Sequence, residues 1–227
     1  MKLLVFNYSM NRNSQVFSHQ RTIVKLLSMH FDQIDVVTAE AIQDSPIIGV
    51  NVHSTNWVPG RNIRNVVNFY LTTIPLILKH RKGTLFSHMT EIQTFLSLPF
   101  TKLLGIKHFL WYAHKSSSKF LKFSYPLVDG IVTSTPGSCP ITGEKIFPIG
   151  QAVDKELSTR IERMPNLPPR SWYHIGRLDP SKNIELIIES LQPYRKLIPE
   201  ITLDFYGAPS SKKTEEYYQY LRQRFST

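Results

Sequence analysis

Short apolar runs alternate along the chain with longer stretches in which apolar residues recur at helical spacing. The first run, residues 2–7, is followed by a polar loop over residues 7–14 and then by Val16, Ile23 and Leu27, which fall on one face of a helix. The alternation continues with predicted strands at residues 34–38, 47–52, 85–88, 108–113 and 130–133, and with a predicted helix over residues 63–82. Because alternating strands and helices pack as a parallel sheet between two helical layers, we expect a doubly wound α/β fold.

A stretch dense in proline separates a longer first part of the chain from a shorter second part. We interpret residues 155–170, which include Pro165, Pro168 and Pro169, as a linker between an N-terminal domain, residues 1–154, and a C-terminal domain, residues 171–227. The second domain contains one strand–helix–strand unit and a terminal helix, predicted at residues 171–176, 180–197, 201–206 and 212–225. Two strands fall short of the five or six of a doubly wound sheet, so we expect this domain to be incomplete.

Composition narrows the class of protein. The 227 residues amount to about one and a half domains, and 41% hydrophobic with 19% charged residues is typical of a globular protein. One cysteine, Cys139, excludes an internal disulfide framework and a cysteine-based zinc site. With no signal peptide at residues 1–5, we expect a cytoplasmic protein. The most apolar helical stretch, residues 66–78, is shorter than the roughly 20 residues of a membrane span.

The net charge of +10 lies mostly in the first part of the chain. Residues 1–150 hold 15 lysine and arginine residues against 7 acidic ones, a net charge of +8. Such an excess indicates an anionic partner, and a nucleic acid, an anionic membrane face and a phosphorylated small molecule all fit it. A shallow membrane contact through residues 63–82 is one hypothesis. Nucleic acid is not expected, because no recognised nucleic-acid module is present.

The loop over residues 176–183 carries the clearest chemical signal. Asp179 suits an N-cap and Pro180 a first helical position, which would place Lys182 in the first turn with Arg177 just before it. A helix dipole disfavours a cation there by a few tenths of a kcal/mol up to about 1 kcal/mol. A bound phosphate would accept the backbone N–H groups and both side chains. We therefore predict an anion site, in preference to a solvated lysine and an arginine paired with a surface carboxylate.

Two histidines follow predicted strands at the carboxyl edge of the sheet. His114 is the candidate catalytic residue, because an imidazole titrates near neutral pH and can bond a sugar hydroxyl or transfer a proton. A structural histidine that caps a strand end is the alternative. His88 is the second choice. It is predicted to line a ligand cleft together with Gly176, Arg12 and Ser14.

The sequence contains no standard nucleotide-binding loop and no metal-binding motif. The polar loop over residues 7–14 has no glycine and matches neither a dinucleotide fingerprint nor a P-loop, although Arg12 could still reach a phosphate. No histidine or carboxylate cluster has the spacing of metal ligands, so we expect no protein-held metal.

The segment Gly176-Arg177-Leu178-Asp179-Pro180-Ser181-Lys182-Asn183, followed by an apolar helix, resembles the donor-phosphate motif of retaining glycosyltransferases of family 4. Residues 146–154 look like the last N-domain strand and the interdomain crossover of that family. Tyr112-Ala113-His114 looks like its histidine-bearing strand end. The resemblance implies a GT-B fold, in which an acceptor-side Rossmann-type domain precedes a donor-side Rossmann-type domain, here incomplete.

The resemblance also implies an activity. A hexosyltransferase of this kind passes a sugar from a nucleotide-sugar donor to a glycan or lipid-linked acceptor with retained configuration, needs no further cofactor, and builds cell-envelope glycans. Arg177 and Lys182 would hold the donor diphosphate. His114 would lie near the donor sugar and the acceptor hydroxyl.

The sequence departs from the family pattern at two places. The glycine-rich loop after the first strand is replaced by residues 7–14, and the paired-glutamate motif that binds ribose and donor sugar would lie beyond Thr227. We therefore expect a truncated enzyme that is inactive alone, or half of a split enzyme completed by a second subunit. The alternative hypothesis is a non-catalytic or split-enzyme subunit that binds an anionic acceptor or a membrane surface.

Overall fold

The structure, a computed structural model, describes residues 1–14, 17–40, 45–58, 60–151, 171–207, 209 and 212–225. The chain divides into two compact units, Met1–Asp154 and Lys155–Thr227, which we describe separately as unit 1 and unit 2. The linker predicted over residues 155–170 and the helical position predicted for Val16 lie outside the described residues.

Unit 1 is built on a seven-stranded sheet in which every described pairing is parallel. Its strands are β1 Lys2–Asn7, β2 Gln33–Thr38, β3 Val50–Ser54, β4 Thr84–His88, β5 Lys107–Trp111, β6 Gly130–Thr133 and β7 Ile146–Pro148. The strand order is β3-β2-β1-β4-β5-β6-β7, so the direction of winding reverses beside β1. The predicted parallel α/β sheet is confirmed, and all strands end at one edge, where open α/β sheets bind ligands.

Helices cover both faces of this sheet. They are α1 Ser18–Leu27, α2 Asn62–Lys79, α3 Glu91–Leu103 and α4 Lys119–Ser124. Because side chains alternate along a strand, Leu3 and Val5 of β1 pack in one cluster with Val24 of α1, whereas Leu4 and Phe6 pack in another with side chains of α2 and α3. The same apolar strand therefore supports two cores.

One element boundary differs from the prediction for a local reason. Helix α1 is described from Ser18, and before it the Ser14 hydroxyl accepts a hydrogen bond from the Phe17 backbone N–H at 3.1 Å. Strand β3 begins at Val50 rather than at Ile47, because Gly49 has a φ of +76° that is incompatible with a strand.

Unit 2 is a strand–helix–strand unit with one further helix, in the predicted order. Parallel strands β8 Ser171–Ile175 and β9 Thr202–Tyr206 flank α5 Ile184–Leu197, and α6 Lys212–Phe225 follows. One face of this sheet packs through Phe205 on a small core of Leu178, Ile184 and Leu221. On the other face Tyr173, Ile175 and Tyr206 are 44%, 82% and 57% exposed.

Candidate functional site

The loop between β8 and α5 begins with a capped turn. Asp179 precedes the three-residue 3-10 turn Pro180–Lys182, and its Oδ1 accepts hydrogen bonds from the backbone N–H and hydroxyl of Ser181 at 2.9 and 2.6 Å. The capping role of Asp179 and the position of Pro180 are as expected. Lys182 is different, because Asn183 at φ +50° separates the turn from α5. The prediction that Lys182 lies in the first turn of the helix is therefore wrong, and the helix dipole does not act on it in the way proposed.

The two cations of this loop share one carboxylate neighbour. Hydrogen bonds from Ser181 lower the pKa of Asp179 below its usual value, and the charges of Arg177 and Lys182 lower it further. Both basic side chains are exposed. Within the described ranges neither of them forms a salt bridge with a carboxylate. The loop therefore combines two cations and one anion at the carboxyl end of β8.

A glycine that sequence reasoning missed fixes the backbone of this loop. The Gly176 N–H donates to the Tyr206 carbonyl at 3.0 Å, and Gly207 follows directly. A methyl group on Gly207 would overlap the Gly176 carbonyl oxygen and lie 2.8 Å from the Gly176 carbonyl carbon. Only glycine permits this approach. The sequence signal was its position just after β9, at the same sheet edge as Gly176.

An apolar cavity of about 520 Å³ in unit 2 is separate from the two cations. It lies beside α5, β9 and α6, and its lining includes Leu178, Ile188, Leu203 and Phe205 but neither Arg177 nor Lys182. The lining also includes Arg195 and Arg222, so this cavity is mostly apolar with two cations of its own, and the anion site in the loop over residues 176–183 stays a prediction.

In unit 1, His114 lies three residues beyond β5 and is exposed. Its Nδ1 accepts a hydrogen bond from the Ser116 backbone N–H at 3.1 Å and lies 2.7 Å from the Ser116 hydroxyl. Since a backbone N–H can only donate, Nδ1 carries the lone pair and the proton of the neutral ring is on Nε2. His114 is thus arranged to donate a hydrogen bond from Nε2, for example to a sugar hydroxyl. In this tautomer it has no free lone pair to act as a base.

His88, at the end of β4, is buried and 4% exposed. Its ring stacks on Trp111 with the ring centroids 5.9 Å apart, and its Nδ1 lies 3.0 Å from the Gln20 side-chain nitrogen. Burial, and after it the charge of His19, lowers the pKa of His88 to about 4, so the ring is neutral at pH 7. His88 therefore supports the sheet edge from inside, and its place in a ligand cleft stays a prediction.

Gln20 is a second residue near this sheet edge whose contacts the sequence did not reveal. Its Oε1 accepts hydrogen bonds from the backbone N–H groups of Tyr8 and Ser9 at 2.8 and 3.1 Å. Because those groups only donate, the amide nitrogen of Gln20 must face His88. The buried amide thus connects α1, the loop after β1 and the end of β4.

The loop after β1 bonds mainly to itself and to Gln20. Ser9 Oγ accepts from the Asn11 N–H at 3.1 Å, Asn11 Oδ1 accepts from the Asn13 N–H at 2.8 Å, and the Asn11 carbonyl accepts from the Ser14 N–H at 3.3 Å. A phosphate-binding loop presents such N–H groups to its ligand. These groups are already engaged, and the Ser14 hydroxyl caps a turn, so of the predicted cleft residues in this loop only Arg12 is exposed.

Asp35 is the centre of a buried charged cluster. Asp35 of β2 is 1% exposed and accepts hydrogen bonds from Lys79 and His80 at 2.8 Å and from His53 and Asn51 at 3.2 Å. Burial by itself raises the pKa of Asp35, but the four donors outweigh it and hold the pKa well below the usual range. The carboxylate is fully used by these partners, so we assign it a structural role.

In the described part of the chain, no group of three or more histidine, cysteine, aspartate or glutamate side chains is arranged to hold a metal ion. Nor is any described helix both long enough and apolar enough to cross a bilayer.

No protein-family model matches the sequence, and no curated protein matches it either. Solved structures do match. The HepE protein of Anabaena in complex with UDP has a TM-score of 0.64 at 13% identity, covering 100% of this chain and 66% of HepE. A glycosyltransferase from Rickettsia africae has a TM-score of 0.62 at 12% identity, with 99% and 64% covered. The UDP-GlcNAc 2-epimerase of Methanocaldococcus jannaschii has a TM-score of 0.56 at 12% identity, with 100% and 71% covered.

These similarities define the fold. The chain has the GT-B-like α/β fold that was predicted, and it spans slightly less than two thirds of the length of HepE. Because an epimerase shares the fold with glycosyltransferases, the fold alone does not choose between these activities. The choice depends on the residues of the site.

Proposed function

We propose that this chain acts as a glycosyltransferase that binds a nucleotide-sugar through the loop over residues 176–183. The observation that carries the proposal is the pair of exposed cations, Arg177 and Lys182, on a backbone held by Gly207 at the carboxyl end of β8. It is supported by the similarity to the HepE protein, whose structure contains UDP. A diphosphate would supply the negative charge that Asp179 alone does not.

The chemistry follows from where charge develops. When the bond between sugar and diphosphate breaks, negative charge grows on the departing phosphate. Fixed cations at that position stabilise the transition state more than the bound substrate, and this difference accelerates the reaction. We assign that role to Arg177 and Lys182. We assign to the Nε2–H of His114 a hydrogen bond to a hydroxyl of the donor sugar or the acceptor.

The finer assignments rest on the sequence resemblance. We propose that the enzyme belongs with the retaining glycosyltransferases of family 4, transfers a hexose to a glycan or lipid-linked acceptor of the cell envelope, works in the cytoplasm and uses no protein-held metal. Nuclear magnetic resonance of the product would test retention directly, because it reports the anomeric configuration of the transferred sugar.

The diphosphate site can be tested by calorimetric titration of the full chain with UDP. Hydrogen bonds to charged groups contribute about 1.5–3 kcal/mol each, so R177A/K182A should weaken binding by about 100-fold or more. The control is K196A/K213A, which removes the same charge from exposed positions of the same unit. Equal affinities of the parent and R177A/K182A would refute the site, as would a parent chain that binds no UDP.

A second candidate function is that of a non-catalytic or split-enzyme subunit. The observation that favours it is the exposed face of the β8–β9 sheet, with Tyr173, Ile175 and Tyr206, since parallel sheets are normally covered on both faces. A chain that binds anionic vesicles but no UDP would support this candidate, because a truncated glycosyltransferase that is inactive alone would still bind UDP. Transfer by the chain alone would exclude it.

A further inference from the structure

The outer face of α2 carries a row of exposed apolar side chains. At about 100° of rotation per residue, the members of this row fall within roughly 80° of one another around the helix axis. They are Ile63, Val67, Leu71 and Leu78, which are 84%, 49%, 72% and 54% exposed. The opposite side of the helix is buried in the core of unit 1 through Phe69 and Leu76. Helix α2 is therefore apolar on two sides, only one of which packs on the sheet.

Packing within unit 1 does not account for this row. A helix on the surface of a globular protein normally turns charged and polar residues outward. Contiguous exposed apolar surface of this kind marks a site of interaction. We call the four residues the α2 stripe.

Charge identifies the kind of partner. Residues 45–128 contain ten lysine and arginine residues and one acidic residue, Glu91, so this part of the chain carries a net charge of +9. Helix α2 itself contains no acidic residue. Exposed cations stand at its two ends, Arg61 and Arg64 at one, Arg81 and Lys82 at the other. None of these four forms a salt bridge within the described part of the chain.

Neighbouring helices extend the surface. Helix α3 packs against α2 through Tyr70 and Phe100, whose ring centroids are 5.7 Å apart, and α3 also contacts α4. On α4, Phe120 and Phe123 are 38% and 61% exposed and alternate with exposed lysines. On this side of the sheet, exposed apolar side chains thus lie beside basic side chains on both α2 and α4.

We propose that the α2 stripe docks unit 1 on the surface of an anionic lipid bilayer. The apolar side chains would enter the boundary between headgroups and acyl chains, and the cations at the helix ends would meet lipid phosphates. A second copy of this chain is a poorer occupant, because it would bring two strongly basic surfaces together. The proposal concerns a surface of unit 1 and does not depend on sugar transfer.

Vesicle sedimentation with the full chain tests the proposal. We expect binding to vesicles of equal parts phosphatidylcholine and phosphatidylglycerol, weakening with added salt, and little binding to phosphatidylcholine alone. I63S/L71S should reduce the partition coefficient about tenfold or more, because two apolar side chains no longer enter the interface. R64Q/R81Q should reduce it about fivefold for each cation removed.

Matched controls come from α1, which packs on the other face of the sheet, and from Met29 just after it. L26S/M29S changes two exposed apolar residues, and K25Q removes an exposed cation, so neither variant should alter the partition coefficient. Unchanged thermal unfolding would show that each variant is folded. The proposal fails if the α2 variants bind vesicles as the parent does, or if binding ignores phosphatidylglycerol. It also fails if the parent is a dimer in lipid-free sedimentation and I63S/L71S is a monomer, because the α2 stripe would then bind a second copy.

Discussion

The buried carboxylate of Asp35 provides a stringent test of the fold of unit 1. Asp35→Asn replaces one oxygen by an amide group of the same size, so the shape is kept while the charge is removed. Lys79 and His80 approach one carboxylate oxygen at 2.8 Å, and the other accepts from His53 and Asn51. An amide can accept at only one of these two positions, and its NH₂ group would face donors at the other.

The expected loss of stability follows from the exposure of the partners. Breaking a buried charge pair costs about 3–5 kcal/mol when the remaining charge cannot reach water. The side chains of Lys79 and His53 are 39% and 34% exposed and can turn outward, whereas that of His80 is 0% exposed. We therefore expect Asp35→Asn to lower the free energy of unfolding by about 3 kcal/mol, at the lower end of this range. For a unit of this size that corresponds to a fall in Tm of about 6–12 °C.

The loss of stability in Asp35→Asn should be smaller at low pH than at neutral pH. The folded state lowers the pKa of Asp35 below the value of about 3.9 in an unfolded chain. The stability contributed by the carboxylate is thus fully present above that unfolded value and is lost as the pH falls from there toward the folded pKa. The difference in Tm between the parent and Asp35→Asn should shrink below about pH 4.

Thermal unfolding followed by circular dichroism at several pH values measures both effects. Asp32→Asn is the control, because Asp32 is three residues away but its side chain is 88% exposed and pairs only at the surface with the N-terminal amino group. We expect it to shift Tm little at neutral pH. If Asp35→Asn lowers Tm no more than Asp32→Asn, the burial and bonding described for Asp35 are incorrect.

Two further predictions concern the candidate site. Gln20→Glu keeps the acceptor for the Tyr8 and Ser9 N–H groups but replaces the donor to His88 by a carboxylate oxygen. The pKa of His88 should therefore rise well above about 4, as an NMR titration of the imidazole would measure. An unchanged pKa would contradict the hydrogen-bond assignment. Gly207→Ala should displace the Gly176 backbone and weaken UDP binding at least about tenfold. Gly60→Ala is the control, because Gly60 has open space around it, and this variant should leave UDP affinity unchanged. Equal UDP affinities of the two variants would show that Gly207 does not support the anion site.

Local patterns predicted the elements where the local signal is strong. The run over residues 2–7 became β1, and the Asp179–Pro180 pair caps a turn as expected. The prediction for Lys182 failed because it treated the turn and the helix as one element, whereas Asn183 adopts a left-handed conformation between them. A single residue with positive φ is enough to change the direction of the chain, and asparagine permits it at modest cost.

Contacts between distant residues were beyond the reach of local patterns. Gln20 and His88 are 68 residues apart, and Asp35 and His80 are 45 apart. In the sequence Gln20 is one polar residue of a helix and Asp35 one polar residue of a strand. Gln20 reaches His88 because the strand order puts β4 beside β1, so that the end of β4 lies beside the loop that follows β1. Asp35 meets its partners because β3 pairs with β2 and α2 ends beside β2.

The amino-acid sequence by itself determined the alternation of strands and helices, and with it a parallel sheet covered on both faces, because the spacing of apolar residues dictates which side of each element must leave water. It also placed Arg177, Asp179 and Lys182 in one short loop. Only the tertiary structure decided which apolar faces stay exposed, since α2 is apolar on two sides and the sheet covers one. It likewise decided which polar groups are buried together, because hydrogen bonds such as that of Gln20 to His88 depend on strand order and not on neighbouring residues.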